Sequence, residues 1–219
     1  NECVGQMASD RPDMHGMGST LVAPIIVDNR LYWVSVGDSP LYLFRGSRLF
    51  RLNEEHSVAR RMELLVESGH MDQDVADQHP DRNCLTSVLI GGTIPEIDCR
   101  DTPIELRDND ILIAASDGLQ FISEAEIAQI VYENRDRPSA EIGDMLLNSI
   151  SQLNHPDQDN VSLCVLKVRE RAKVALFAPI PAEPALSVVG QSSKTTSMFV
   201  RVSGSSKVVV GQMQMSQEM

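Results

Sequence analysis

Two apolar, β-rich runs stand almost back to back, STLVAPIIV at 19–27 and RLYWVSVG at 30–37, with only Asp28 and Asn29 between them. Asp and Asn tolerate the dihedrals of a tight turn, so this spacing predicts an antiparallel hairpin. Two shorter runs follow at 40–44 and 47–52, split at Arg45-Gly46. Together the four read as an antiparallel meander of short strands. Further strands are predicted at 84–90, 97–106, 110–115 and 160–168.

Helical patterning alternates with these runs. Residues 57–68 carry a helical pattern closed by Gly69. Residues 71–83 are polar and acidic and read as a short irregular or helical flap. Ser123 and Glu126 have capping-box spacing, which predicts a helix over 124–133. In 139–153, Ile142, Met145, Leu146, Ile150 and Leu153 form one stripe of period 3.6, suited to covering a sheet. Strands, then helices, then a closing strand predict an α+β domain with helices packed on antiparallel sheets.

Composition bounds the rest. Hydrophobic residues make up 42% of the 219, enough for a sizeable core, but only 4% are aromatic, so aliphatic side chains and Met must fill it. The net charge of -12 disfavours phosphate backbones and argues against a nucleic-acid partner. No apolar run is long enough to span a bilayer, and the first residues do not resemble a signal peptide. The four cysteines lack CxxC spacing, so a zinc knuckle is not expected. Cys84 and Cys164 sit in strand-like runs and read as buried free thiols, consistent with a cytoplasmic location. Near 171 the composition turns Pro- and Ala-rich, and the tail carries five Lys/Arg against two Glu. A domain over 1–170 and a linker with tail over 171–219 are therefore expected, the tail holding at most a hairpin over about 196–211.

Three aspartates stand at strand ends: Asp38 in Val36-Gly37-Asp38-Ser39, Asp117 in Ala115-Ser116-Asp117-Gly118, and Asp159 before Asn160. Each could be a plain turn residue or helix cap. Gathered at one sheet edge, they would supply the oxygen donors that Mg²⁺ or Mn²⁺ prefers. Two carboxylates about 4 Å apart repel by about 1 kcal/mol in water and about 4 kcal/mol at an effective dielectric of 20, which a divalent ion offsets.

The ordered set of segments resembles the protein phosphatase 2C (PPM) family in its bacterial branch. The segments are GMGSTLVAPII at 16–26, VSVGDSPLYLF at 34–44, RLNEEHS at 51–57, HPDRNCLTSVLIGG at 79–92, ILIAASDGL at 111–119 and DQDNVSLCVL at 157–166. The resemblance implies a layered α-β-β-α sandwich, here incomplete at the N-terminus. It implies a centre of two or three Mn²⁺ or Mg²⁺ ions, and hydrolysis of phosphoserine or phosphothreonine in proteins by a metal-activated water. By motif match, Asp117 and Asp159 are the implied metal ligands and Asp38 serves an additional, looser metal, with Asp157 the rival to Asp159. No catalytic acid or base is assigned.

The sequence also departs from the family's pattern. The family's first segment, with its phosphate-binding Arg and metal-bridging Asp, has no counterpart, and the chain, which does not begin with Met, reads as a fragment or a processed product. Such a piece alone is expected to be inactive. Pro40 stands where the family has Arg. His56 reads as a turn residue rather than a catalytic acid, His79 as a flap-fixing residue and Arg82 as a solvated one. The implied partner is a phosphoprotein, the substrate of a serine/threonine kinase, acted on by a monomer. The alternative expectation is a catalytically inactive, phosphatase-like regulatory or binding module.

Overall fold

In the computed structural model, which describes residues 1–155 and 160–169 and the backbone of 195–202 and 209–214, Asp28 and Asn29 take φ values of 48° and 63°. That left-handed pair closes β1 (Leu21–Val27) onto β2 (Arg30–Val36), in register from Leu21 opposite Val36 to Val27 opposite Arg30. A second hairpin joins β3 (Leu41–Arg45) to β4 (Arg48–Arg51). Its left-handed residues are Gly46 and Ser47, so the turn sits one residue later than the Arg45-Gly46 split.

The other elements follow in order. α1 (Glu2–Asp10) precedes β1. After β4 come α2 (Val58–Glu67), α3 (Gln73–Asp77), β5 (Asp98–Cys99), β6 (Ile104–Glu105) and β7 (Ile111–Ala115). A 3-10 turn (Asp117–Phe121) leads to α4 (Glu124–Asn134), α5 (Ser139–Gln152), β8 (Ser162–Arg169), β9 (Thr195–Val202) and β10 (Val209–Gln214).

The two hairpins do not form one meander. β1 and β2 pair with β5 and β6 in a small sheet, whereas β3 and β4 belong to a larger one of order β10-β9-β8-β7-β3-β4. The chain changes sheets at Gly37-Asp38-Ser39-Pro40: Gly37 has φ +100° and Pro40 has no N–H to continue a ladder. Every strand pairing is antiparallel.

Side-chain alternation along the larger sheet fills two cores. Tyr42, Phe44, Ile111, Ile113, Leu163 and Val165 face α4 and α5, meeting Ile127, Val131, Ile142, Leu146 and Ile150. Leu41, Leu43, Leu112 and Val168 face the small sheet and meet Leu31 and Trp33. Trp33 Nε1 donates to Asp98 Oδ2 at 2.8 Å, satisfying its one polar atom. The result is an α+β sandwich in which helices cover the large sheet and the small sheet covers its other face. The capping box also forms, Ser123 N donating to Glu126 Oε2 at 2.9 Å and Glu126 N to Ser123 Oγ at 3.2 Å.

Some expectations are corrected. Residues 84–90 form no strand, only single bridges at Ser57–Leu85 and Ser19–Leu89. Their backbone bonds go to separate partners, Thr86 N to His56 O and Leu89 N to Ser19 O, so no ladder can run. Cys84 is consequently exposed, and Cys164 is only half-buried. The span 97–106 shrinks to two short strands, both on β2, with Pro103 between them. In α5 the stripe holds at Ile142, Leu146 and Ile150, but Leu153 is 46% exposed because it caps the helix rather than extending it. The tail hairpin does not stand apart: β9 is hydrogen-bonded along β8, from Ser162 opposite Val202 to Arg169 opposite Thr195, and so extends the large sheet. The linker at 171–194 lies outside the described residues. No helix of the described residues is long and apolar enough to cross a membrane.

Candidate metal centre

The turn that carries the chain between the sheets also presents Asp38. A Cβ on Gly37 would meet Thr20 Cγ2 at 2.4 Å, so glycine is required there for space as well as for its positive φ. The turn's backbone groups are bonded by a second turn, residues 51–57. His56 N donates to Gly37 O at 3.0 Å, and Gly37 N donates to His56 Nδ1 at 3.1 Å. Asn53 accepts from Leu41 N at 2.7 Å and donates to Ser39 O at 2.9 Å. Arg51 Nη2 donates to Asp38 O at 2.9 Å while its Nη1 pairs with Glu55 at 2.6 Å. His56 is 3% exposed and serves as the turn residue expected from the sequence.

Asp117 comes from the large sheet. β7 ends at Ala115, and Ser116 is stitched to the start of β8: Ser116 N donates to Ser162 O at 2.8 Å, and Ser162 N donates to Ser116 Oγ at 3.0 Å. Asp117 Oδ1 accepts from Gly118 N at 2.9 Å. A Cβ on Gly118 would lie 2.8 Å from Asn160 O, so the Asp-Gly pair packs directly on the segment that opens β8. Asp159 adjoins that segment but lies outside the described residues, as does Asp157.

Asp38 and Asp117 are brought together. Burial pushes the Asp38 carboxyl above the usual carboxylate range, and the Asp117 charge pushes it further. Gln120, on the 3-10 turn that begins at Asp117, donates to Asp38 O at 3.2 Å. The charged donors here are carboxylates, with no thiol among them, a set suited to hard divalent cations. Among the described residues no cluster of three or more His, Cys, Asp or Glu groups could hold a metal; the pair Asp38–Asp117 is what they contribute. Beside it a cleft of about 600 Å³ opens, lined by residues that include Arg51, His56, Arg61 and Glu124.

The sequence did not point to Arg51, Asn53 or Gln120. The stretch RLNEEHS at 51–57 stood out only as one of the family-like segments, and Gln120 carried no signal at all. The flap behaves as expected: His79 Nδ1 accepts from Asp81 N at 3.2 Å, and Arg82 bonds Ala76 O at 3.3 Å and Asp77 at 3.1 Å rather than the site.

No family model matches the chain. Protein phosphatase PhpP of Streptococcus pneumoniae serotype 2 is 30% identical over 171 residues, which are 78% of this chain and 65% of PhpP. The solved catalytic domain of serine/threonine phosphatase PstP, in complex with two manganese ions, superposes at a TM-score of 0.57 with 27% identity, covering 75% of this chain and 64% of that one. Serine/threonine phosphatase Stp1 of Staphylococcus aureus shares the fold at a TM-score of 0.62 and 23% identity, over 75% of this chain and 61% of that one. The fold is thus the α+β sandwich that these phosphatases share. The chain is similar to bacterial serine/threonine phosphatases of this kind, and it spans about 65% of the length of the first curated relatives it matches.

Proposed function

We propose that this chain forms part of a protein phosphatase active site, removing phosphate from phosphoserine and phosphothreonine with the help of Mn²⁺ or Mg²⁺. The observation that carries the reading is the convergence at one rim of the Asp38 turn, which joins the two sheets, and the Asp117 turn at the end of β7. Asp117 and Asp159 would hold the cation that the chemistry needs, with Asp38 further out. When bound, a divalent cation supplies a Lewis acid for the phosphoryl oxygens and lowers the pKa of a water.

The protein's own groups do the rest. Asp38 and Asp117 set the negative charge that draws the cation in. Arg51 and Gln120 hold Asp38 by its carbonyl. The fit of Gly118 against Asn160 keeps the Asp117 turn against the start of β8. The adjoining cleft of about 600 Å³ would receive the polypeptide segment around the phosphorylated residue.

The test is phosphate release from phosphoserine and phosphothreonine peptides by the longest natural chain bearing these residues. Chelation should abolish turnover, Mn²⁺ should restore it, and Asp117→Asn or Asp159→Ala should lower kcat at least a hundredfold. Turnover indifferent to chelator and to both substitutions would sink the reading. Folded protein without turnover in any metal would favour a phosphatase-like binding module.

A further inference from the structure

We propose that Gln120 is a positioning residue that ties the Asp117 turn to the Asp38 turn and so sets the separation of the two carboxylates before any cation arrives. The inference rests on the metal reading given above. It starts from the geometry of the 3-10 turn Asp117–Phe121. Such a helix has three residues per turn, so positions i and i+3 eclipse. Asp117 and Gln120 are that pair, and the Asp117 charge acts on the Asp38 carboxyl. The Gln120 amide donates to Asp38 O at 3.2 Å, across 82 positions of sequence.

The same carbonyl accepts from Arg51 Nη2 at 2.9 Å. A backbone carbonyl has two lone pairs, so Arg51 from the strand side and Gln120 from the Asp117 side fill it. The two donors differ in what they anchor. Arg51 belongs to β4 and is also held by Glu55, so it fixes Asp38 within its own neighbourhood. Gln120 is a side-chain link to the turn bearing the other carboxylate, beyond the backbone bond from Ala115 N to Pro40 O at 3.1 Å. The Asp38 turn runs from β2 into β3, which pairs with β7 just ahead of Asp117, and two close carboxylates repel each other. A neutral amide bridging them opposes that spreading without consuming either carboxylate. Groups that orient metal-holding side chains typically change metal affinity tenfold or more when lost.

The experiment uses the full chain with Gln120→Met, which keeps the side chain's length and removes the donor. Gln120 is exposed, so the melting temperature should stay within a degree or two of the parent. Mn²⁺ affinity, read by calorimetry, should fall about tenfold, and amide exchange at 37–39 should quicken without metal. Gln129→Met, at another exposed glutamine, should change neither. Wild-type Mn²⁺ affinity and wild-type exchange in Gln120→Met would overturn the inference. If Asp117→Asn itself leaves Mn²⁺ affinity unchanged, the metal reading falls and this inference with it. If Asp117→Asn abolishes binding while Gln120→Met does nothing, only the inference falls.

Discussion

The two sheets of the sandwich are built from similar residues and live in different surroundings. In β7, at the centre of the large sheet, every residue from Ile111 to Ala115 is buried or half-buried, because odd positions meet α4 and α5 and even positions meet the small sheet. In β1, at the edge of the small sheet, Val22 and Ile26 turn inward against Leu31 and Trp33, while Leu21, Ile25 and Val27 on the outer face stay 38–49% exposed. An antiparallel sheet can be stable with one face open to water. The difference teaches where the rim gets its rigidity. Asp117 leaves a strand clamped on both faces. Asp38 follows β2, covered at Leu31, Trp33 and Ser35 but only half-covered at Tyr32 and Val34, and its turn is held in addition by the polar side chains of Arg51, Asn53 and His56.

The strongest way to break this contrast is a cavity in the clamped strand. Ile113 is fully buried among α4 and α5 side chains. Ile113→Ala should cost about 3–4 kcal/mol, within the range for large-to-small changes in cores. Denaturant unfolding with an unchanged m-value measures it. A cost below about 1 kcal/mol would mean that the helix-covered core collapses readily, and the claim that β7 is held from both sides would go.

What was legible in the sequence follows the same division between local and distant causes. The β1–β2 hairpin could be read because Asp28 and Asn29 carry its turn chemistry themselves. Asp38 and Asp117 could be read because each sits in a short motif at a strand end. The change of sheet at Gly37–Pro40 could not, since it depends on Thr20 closing over Gly37 and on Asn53 bonding the far side. The 84–90 run misled because β-prone residues become a strand only when one partner strand runs beside them, and here the partners are single residues of two segments. Gln120 was invisible because its role exists only once the 3-10 turn aims it at a carbonyl 82 positions earlier in the chain.

A smaller effect sharpens the comparison on the helix-covered side. Lys167, 5% exposed, interrupts that apolar face. Its Nζ donates to the carbonyls of Arg135 and Arg137 at the end of α4, where the helix dipole favours a cation. Burial nonetheless holds its pKa below the ordinary lysine value near 10.5; Arg169 adds to the depression, and Asp136 and Asp108 offset part of it. Between the lowered folded value and the unfolded one, the unfolded chain binds more protons, so stability rises with pH. The cost of burying the charge is fully present below the folded pKa and is relieved as pH climbs toward 10.5. Because Cys164, held up by burial, pulls the other way, the quantity to measure is the difference from Lys167→Met across pH 7 to about 10. The parent should gain on the variant as pH rises. A difference that is flat or falls would show that the α4 carbonyls fully replace water around the ammonium.

The smallest effect belongs to the open face. Ile25 is 48% exposed on β1 and stands opposite Tyr32. Threonine keeps the branch at Cβ that suits a strand and exchanges an ethyl group on the open face for a hydroxyl that water can solvate. Ile25→Thr should therefore move stability by no more than about 0.5 kcal/mol, as for surface substitutions generally. The same exchange at Ile113 would bury a hydroxyl without a partner and leave a void, so the two sites should separate by several-fold under one chemistry. Unfolding curves for Ile25→Thr and Ile113→Thr, taken side by side, read that ratio directly. Equal costs would mean that the outer face of β1 is packed in solution as firmly as the helix-covered face of β7. The rigidity of the Asp38 turn would then have to be credited to the sheet beneath it rather than to Arg51, Asn53 and His56.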